Sequence, residues 1–212
     1  MVSDQSSKKK AGQMIVNDFC MTICTVNGSG SATANSILFN ALFQMGIPTS
    51  GKNVFPSNIK GMATWFVIRA NEKGYTGRRP YDDMIVAMNP KTFLEDLHFL
   101  PKGGVVFYTD QINLSEEGKR EDLIFYPMPI KTLTDELNVP RTIRNYTENM
   151  LYVGIVGKML GIPLKMLKQA IDKHFGAKPA IAEANYKTIK LGFDWASKNL
   201  KKEDRYTVEM RE

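Results

Sequence analysis

At 212 residues the chain can bury a sizeable core, and 43% hydrophobic with 24% charged residues is the make-up of an ordinary globular protein. The net charge of +6 is mild. Lys8, Lys9, Lys10, Lys198, Lys201 and Lys202 sit near the ends and Arg78-Arg79 is the internal basic doublet, which argues against a dedicated nucleic-acid binder. No apolar run approaches the length of about 18 residues that a membrane span needs, and no apolar core follows the N-terminal lysines, so a soluble, cytoplasmic protein is expected.

Residues 1–14 are polar and lysine-rich and read as a flexible tail; residues 15–209 read as one α/β domain. Phe19 to Val26 (FCMTICTV) is short, apolar and rich in β-branched residues, as a buried strand is. It carries both cysteines, Cys20 and Cys24, on one side of the strand; two such ligands cannot hold an iron–sulfur cluster or structural zinc unaided, so buried free thiols are expected. A helix is predicted over Ala34–Met45, from Ile37, Leu38, Ala41, Leu42 and Met45 on one face, with Gly46 and Pro48 as its stop.

Further strands are predicted at Val54-Phe55, Met62–Ala70, Met84–Met88, Val105–Tyr108 and Leu123–Tyr126, with helices over Lys91–Leu97 and around Leu133. From Arg144 the pattern turns helical to Leu200, broken at Gly161-Ile162-Pro163 and after Phe175, and an extended Asp204–Glu209 follows. Strands alternating with helices indicate a three-layer α/β/α domain with a mostly parallel sheet and a helical C-terminal part.

The junction of the first strand and first helix, Val26-Asn27-Gly28-Ser29-Gly30-Ser31-Ala32-Thr33, is the most informative stretch. Gly28 and Gly30 permit a tight turn, and Ser29 and Ser31 bring hydroxyls to the end of a helix whose first N–H groups lack partners, an arrangement that receives anions. The dinucleotide fingerprint fails at its third glycine, where Thr33 stands, and no Gly-Lys-Ser/Thr follows. Both a structural βα turn and a phosphate site fit this spacing. A second candidate is the loop Phe55–Gly61, with Ser57, Asn58 and Lys60.

A catalytic set is not found. His98 and His174 lack ligand-spaced partners and read as surface or capping residues; Asp82-Asp83 and Glu95-Asp96 read as solvated; Trp65-Phe66 reads as strand packing. No metal site is expected.

These residues, taken together, resemble the gamma subunit or domain of 2-oxoacid:ferredoxin oxidoreductases. The similarity runs through Val26–Asn35, Met45-Gly46-Ile47-Pro48, Lys52–Gly61, Thr64-Trp65-Phe66, Asn71–Tyr75, Val86–Pro90, Gly154–Gly161 and Asn185–Trp195. It is nearest to the 2-oxoglutarate branch, in which a gamma domain precedes the alpha part of a fused subunit. The resemblance implies a share in a complex that converts a 2-oxoacid to an acyl-CoA and CO2 and reduces ferredoxin. Thiamine diphosphate, Mg2+ and the iron–sulfur cluster are then held by alpha and beta partner parts. Coenzyme A is expected near Asn27, Gly28, Ser29, Gly30, Ser31, Ser57, Asn58 and Lys60. No nucleic acid and no membrane are expected as partners. The other reading of the same turn is a free-standing nucleotide- or phosphate-binding α/β module.

Overall fold

The computed structural model describes residues 13–55, 60–114, 118 and 120–211. Its central sheet contains β2 (Asp18–Val26), β3 (Thr49–Val54), β4 (Ala63–Asn71), β5 (Met84–Ala87), β6 (Val105–Thr109) and β7 (Ile124–Met128), in the order β3-β4-β2-β5-β6-β7. β2, β5, β6 and β7 pair in parallel, and β4 pairs antiparallel with both β2 and β3, so β4 alone runs against the rest. The mostly parallel α/β architecture agrees with the expectation from sequence.

Alternation along each strand divides the core in two. Met21, Ile23, Met84, Val86, Val105 and Phe107 face one large cluster, whereas Cys24, Ile85, Ala87 and Val106 face a smaller one. The large cluster is completed by α1 (Ser31–Gln44), α4 (Arg141–Leu160), α5 (Leu164–Phe175) and α6 (Pro179–Asn199). The smaller is covered by the short α2 (Phe93–Leu97), and α3 (Ile130–Glu136) leads from β7 to α4. Both faces of the central strands are therefore dry, which is why their sequences read as unbroken apolar runs.

α4 and α6 approach with backbone against backbone. A Cβ on Gly154 would overlap the Ile189 carbonyl and sit 2.8 Å from the Phe193 nitrogen, and one on Gly192 would overlap the Leu151 carbonyl, coming within 3.2 Å of its carbon.

Several elements differ from expectation. α1 begins at Ser31, three residues before the predicted start, directly after Gly30. β3 runs over Thr49–Val54, where Val54-Phe55 was expected; its TSGKNV sequence has no apolar alternation because it is an edge strand bonded only to β4. A second, two-stranded parallel sheet joins β1 (Ile15–Val16) to β8 (Tyr206–Thr207), so the extended tail is a strand. Val208 N donates to Leu160 O at 2.9 Å, and Asn17 exchanges two hydrogen bonds with the Glu209 backbone at 3.0 and 2.9 Å.

The acidic pairs also need correction: Asp82, Asp83 and Asp96 are buried, not solvated. Asp83 accepts from Cys20 N (2.7 Å), Arg79 (3.0 Å) and the Tyr206 hydroxyl (3.1 Å). Asp18 takes Arg69 at 2.7 Å and Arg79 at 2.5 Å, which makes a paired network rather than isolated buried charges. Asp96 accepts from Trp65 Nε1 at 2.7 Å and Thr92 Oγ1 at 2.8 Å, so Trp65 does more than pack the strand. Burial raises the Asp82 and Asp96 carboxyls above the ordinary carboxylate range.

The two thiols are buried and unpaired, as expected. Burial, reinforced by Asp82 beside it, pushes the Cys20 thiol up to about 12, and burial with Asp96 raises Cys24 well above its ordinary value. Because the thiolate is the reactive form, a disulfide reagent should modify neither cysteine in the native protein and both after unfolding in urea. A thiol titrating rapidly under native conditions would contradict this burial.

Candidate functional site

The turn between β2 and α1 adopts the conformation its glycines permit. Gly28 and Gly30 have φ of +85° and +79°, the left-handed region in which a residue with a Cβ is strained. Ser29 N closes the turn on Val26 O at 3.1 Å. The following loop is bonded to it, with Asn27 N donating to Met62 O (2.8 Å) and Gly61 N to Asn27 O (2.9 Å). Gly30 occupies the N-cap position without a side-chain cap, and the first turn of α1 carries no acidic residue, so neither offsets the positive end of the helix dipole.

α4 holds the turn from the other side. Asn149 Nδ2 donates to Ser29 O at 2.9 Å, and the Tyr146 ring lies over Gly30, where a Cβ would come 2.5 Å from Tyr146 Cε1. Deeper in, Thr25 Oγ1 and Ser31 Oγ share a hydrogen bond of 2.9 Å, and the buried Tyr152 hydroxyl donates to Asn35 Oδ1 at 2.7 Å. The turn is thus preorganised by contacts more than a hundred residues away in sequence.

Two clefts flank it. The first, about 330 Å3, is lined by Asn27, Gly28, Ser29, Lys60, Glu148 and Asn149 among others. The second, about 320 Å3, lies at the start of α1 and includes Gly28, Gly30, Ser31, Asn53 and Phe55. Asn27, Gly28, Ser29 and Lys60 therefore meet in one cleft and Gly30 and Ser31 in the other, with Asn27 and Gly28 in both. Ser57 and Asn58 lie outside the described residues. Lys60 covers Gly28: a Cβ there would be 2.9 Å from Lys60 Cγ. Ser29 Oγ is buried with no hydrogen-bond partner among the described residues, leaving a hydroxyl to offer.

Sequence reasoning missed Asn145, Glu148 and Asn149, which α4 presents to the first cleft. Their i, i+3, i+4 spacing opposite the apolar face is the signal that could have found them, although nothing local connects them to Gly28. Glu148 gives the cleft a negative group as well as Lys60. Burial raises its carboxyl above the ordinary range, partly offset by Arg144 Nε at 3.4 Å.

That carboxylate opposes an anionic ligand, so affinity should rise as pH falls through the raised value and the charge is lost. Glu148→Gln should bind pyrophosphate about fivefold tighter at neutral pH, a change of ~1 kcal/mol, the size expected for unit charges a few ångströms apart in water. Calorimetric titration across the acid range should show wild type approaching the variant as the pH drops. Parallel pH profiles would mean that Glu148 does not face the ligand.

Among the described residues, no cluster of three or more His, Cys, Asp or Glu side chains could hold a metal ion, and no helix is long and apolar enough to cross a membrane. His98 caps the end of α2 and His174 is exposed near the end of α5.

The family model described as pyruvate ferredoxin/flavodoxin oxidoreductase matches residues 20–195. The 2-oxoglutarate oxidoreductase subunit KorA of Mycobacterium tuberculosis is 28% identical over an alignment of 136 positions that covers 56% of this chain and 20% of that protein. The ketoisovalerate oxidoreductase subunit VorA of Methanothermobacter marburgensis is 25% identical over 182 residues, 85% of this chain and 37% of the relative. The chain thus spans about a fifth to just over a third of these curated relatives. Among solved structures, 2-oxoglutarate:ferredoxin oxidoreductase from Magnetococcus marinus, with 2-oxoglutarate, coenzyme A and succinyl-CoA bound, superposes with a TM-score of 0.81 at 20% identity, over 92% of this chain and 34% of that one. The gamma subunit of a keto/oxoacid ferredoxin oxidoreductase from Geobacter sulfurreducens superposes at 0.67 and 15% identity, over 85% of this chain and 99% of that one.

Proposed function

The chain belongs to the pyruvate ferredoxin/flavodoxin oxidoreductase family, and on that premise we propose that it is the gamma part of a 2-oxoacid:ferredoxin oxidoreductase acting on 2-oxoglutarate, and that its glycine turn receives the phosphates of coenzyme A. The complex oxidatively decarboxylates the 2-oxoacid to an acyl-CoA and CO2 and passes electrons to ferredoxin. One observation carries the site assignment: the uncapped start of α1, the turn's glycines, Ser29 Oγ and Lys60 converge on adjoining clefts. The gamma role is supported by the nearly full coverage of the Geobacter gamma subunit, and the choice of 2-oxoglutarate by the Mycobacterium and Magnetococcus proteins.

Cys20 and Cys24 are buried within one strand, and the described residues offer no ligand set for a metal. On this reading thiamine diphosphate, Mg2+ and the iron–sulfur cluster are held by the alpha and beta parts. What this chain contributes is binding: backbone N–H groups at a helix start and one ammonium position a polyphosphate, whose binding energy can then orient the reacting thiol end. Two reduced thiols suit a cytoplasmic setting.

The test is 2-oxoglutarate-dependent reduction of a low-potential dye, with coenzyme A present, by the alpha and beta parts with and without this chain. Activity that requires the chain supports the reading. A chain that neither joins those parts nor changes the rate overturns it, and tight binding of NAD or ATP by the chain alone would favour the nucleotide-module alternative instead.

A further inference from the structure

The mild overall charge conceals an asymmetry. Residues 158–202 contain ten lysines, no arginine and three carboxylates (Asp172, Glu183, Asp194), a net +7 against +6 for the whole chain. Six of these lysines lie on α5 and α6, Lys178 stands between the two helices, and Lys158, Lys201 and Lys202 lie outside them. Lys168 and Lys190 are paired with Asp172 and Asp194, but Lys173, Lys178 and Lys187 are exposed with no carboxylate in salt-bridge range among the described residues.

The same helices border an apolar groove of about 600 Å3 between the starts of α4 and α6, with Ile143, Tyr146, Phe175, Ile181 and Ala184 along its walls. Ile143, Tyr146 and Ile181 are about half exposed, at 46%, 52% and 47%. On α6 the groove residues Ala180, Ile181, Ala184, Asn185 and Thr188 form one stripe; Lys178 precedes it, and Lys187 projects from its flank at helical spacing. An apolar centre with a charged margin is the anatomy of a protein interface.

We propose that this groove is a docking site for an acidic segment of a protein partner, with an apolar side chain of the partner seated among Ile143, Tyr146 and Ile181 and its carboxylates on Lys173, Lys178 and Lys187. A second copy of this chain does not fit, because a two-fold contact would set this basic surface against itself. Nucleic acid is disfavoured because residues 158–202, which supply the lysine rim, hold no arginine. A bilayer takes a protruding apolar face, whereas this one is recessed. The site adjoins the glycine turn, since Tyr146 lines the groove and also covers Gly30. An occupant there would fix the ring that overlies the proposed phosphate site.

The inference rests on the reading of the chain as one part of a larger oxidoreductase, so the test uses that complex. Two variants are compared with wild type for association with the alpha and beta parts at low and high NaCl: the triple reversal Lys173→Glu/Lys178→Glu/Lys187→Glu, and Ile181→Asp. All four positions are exposed, so folding should survive, which circular dichroism checks. The triple reversal should weaken association about tenfold or more at low salt and flatten its salt dependence, and Ile181→Asp should weaken it by a similar factor at both salts. Variants that assemble as wild type does would overturn the docking site alone. If wild type itself fails to join the partners, the oxidoreductase reading falls and takes this inference with it. A single-stranded RNA 20-mer and phosphatidylserine vesicles serve as further probes. Binding to either that is lost in the variants, with assembly intact, would replace the acidic protein by a polyanion.

Discussion

A Gly154→Val variant is expected to lose about 3 kcal/mol of stability or more, the upper end of what overpacking a core costs. The reason is that the position opposes backbone, not a side chain able to rotate away: the added Cβ would overlap the Ile189 carbonyl and press on the Phe193 nitrogen. Relief requires α4 and α6 to separate along a contact where Gly192 is equally close to Leu151. That separation would strip packing from Leu151, Val153 and Ile189, which are fully buried. For a chain of this size the loss corresponds to a fall in Tm of about 6–12 °C. Gly77→Ala is the matched control, since a Cβ there meets nothing within 4 Å, and its stability should change by less than about 0.5 kcal/mol. Thermal unfolding of the two variants beside wild type decides the matter. Equal melting would show that the helices slide apart at little cost.

The largest expected effect on function comes from combining Gly30→Asp with Lys60→Ala. The first places a carboxylate at the uncapped start of α1, at a φ of +79° and against a Tyr146 ring that is half exposed and can swing outward. The second removes the cation over Gly28. Charge-assisted hydrogen bonds contribute about 1.5–3 kcal/mol each. A loss of ~2 kcal/mol, or roughly thirtyfold in coenzyme A affinity, is therefore expected if the phosphates sit at the turn. In the reconstituted complex this should appear as a raised KM for coenzyme A with kcat little changed when coenzyme A is saturating. If the turn serves only the architecture, the yield of assembled complex should fall while the KM for coenzyme A stays at the wild-type value.

How far the sequence speaks for itself varies with the reach of the forces involved. β2, β5 and β6 are dry on both faces, so Phe19–Val26, Met84–Ala87 and Val105–Tyr108 announce themselves by composition alone. β3 does not, because Thr49–Val54 is held by the β4 ladder and has no face that must be apolar along its length. The glycine turn was legible because φ near +80° at Gly28 and Gly30 strongly favours glycine. Its α4 supports, Tyr146 and Asn149, and the cleft-lining Glu148 were not, since a helix shows in its sequence only which face is apolar and not what its polar face meets. Asp82, Asp83 and Asp96 resemble surface acids for the same reason: the partners that make their burial tolerable, among them Cys20, Tyr206 and Trp65, are supplied by distant strands.

The β1–β8 pairing has a consequence for the order in which the molecule is completed. Ile15 meets Tyr206 and Val16 meets Thr207, so a strand made early in this domain waits for a partner made about 190 residues later. Closing so long a loop is entropically slow, and it cannot begin until residues near 209 have emerged. During synthesis Tyr206 is missing from Asp83 and Asp204 from Tyr126, and the sheet stands with one end unclasped. A nascent chain halted before residue 204 should therefore remain open to protease at residues 13–17 even when the glycine turn is already formed.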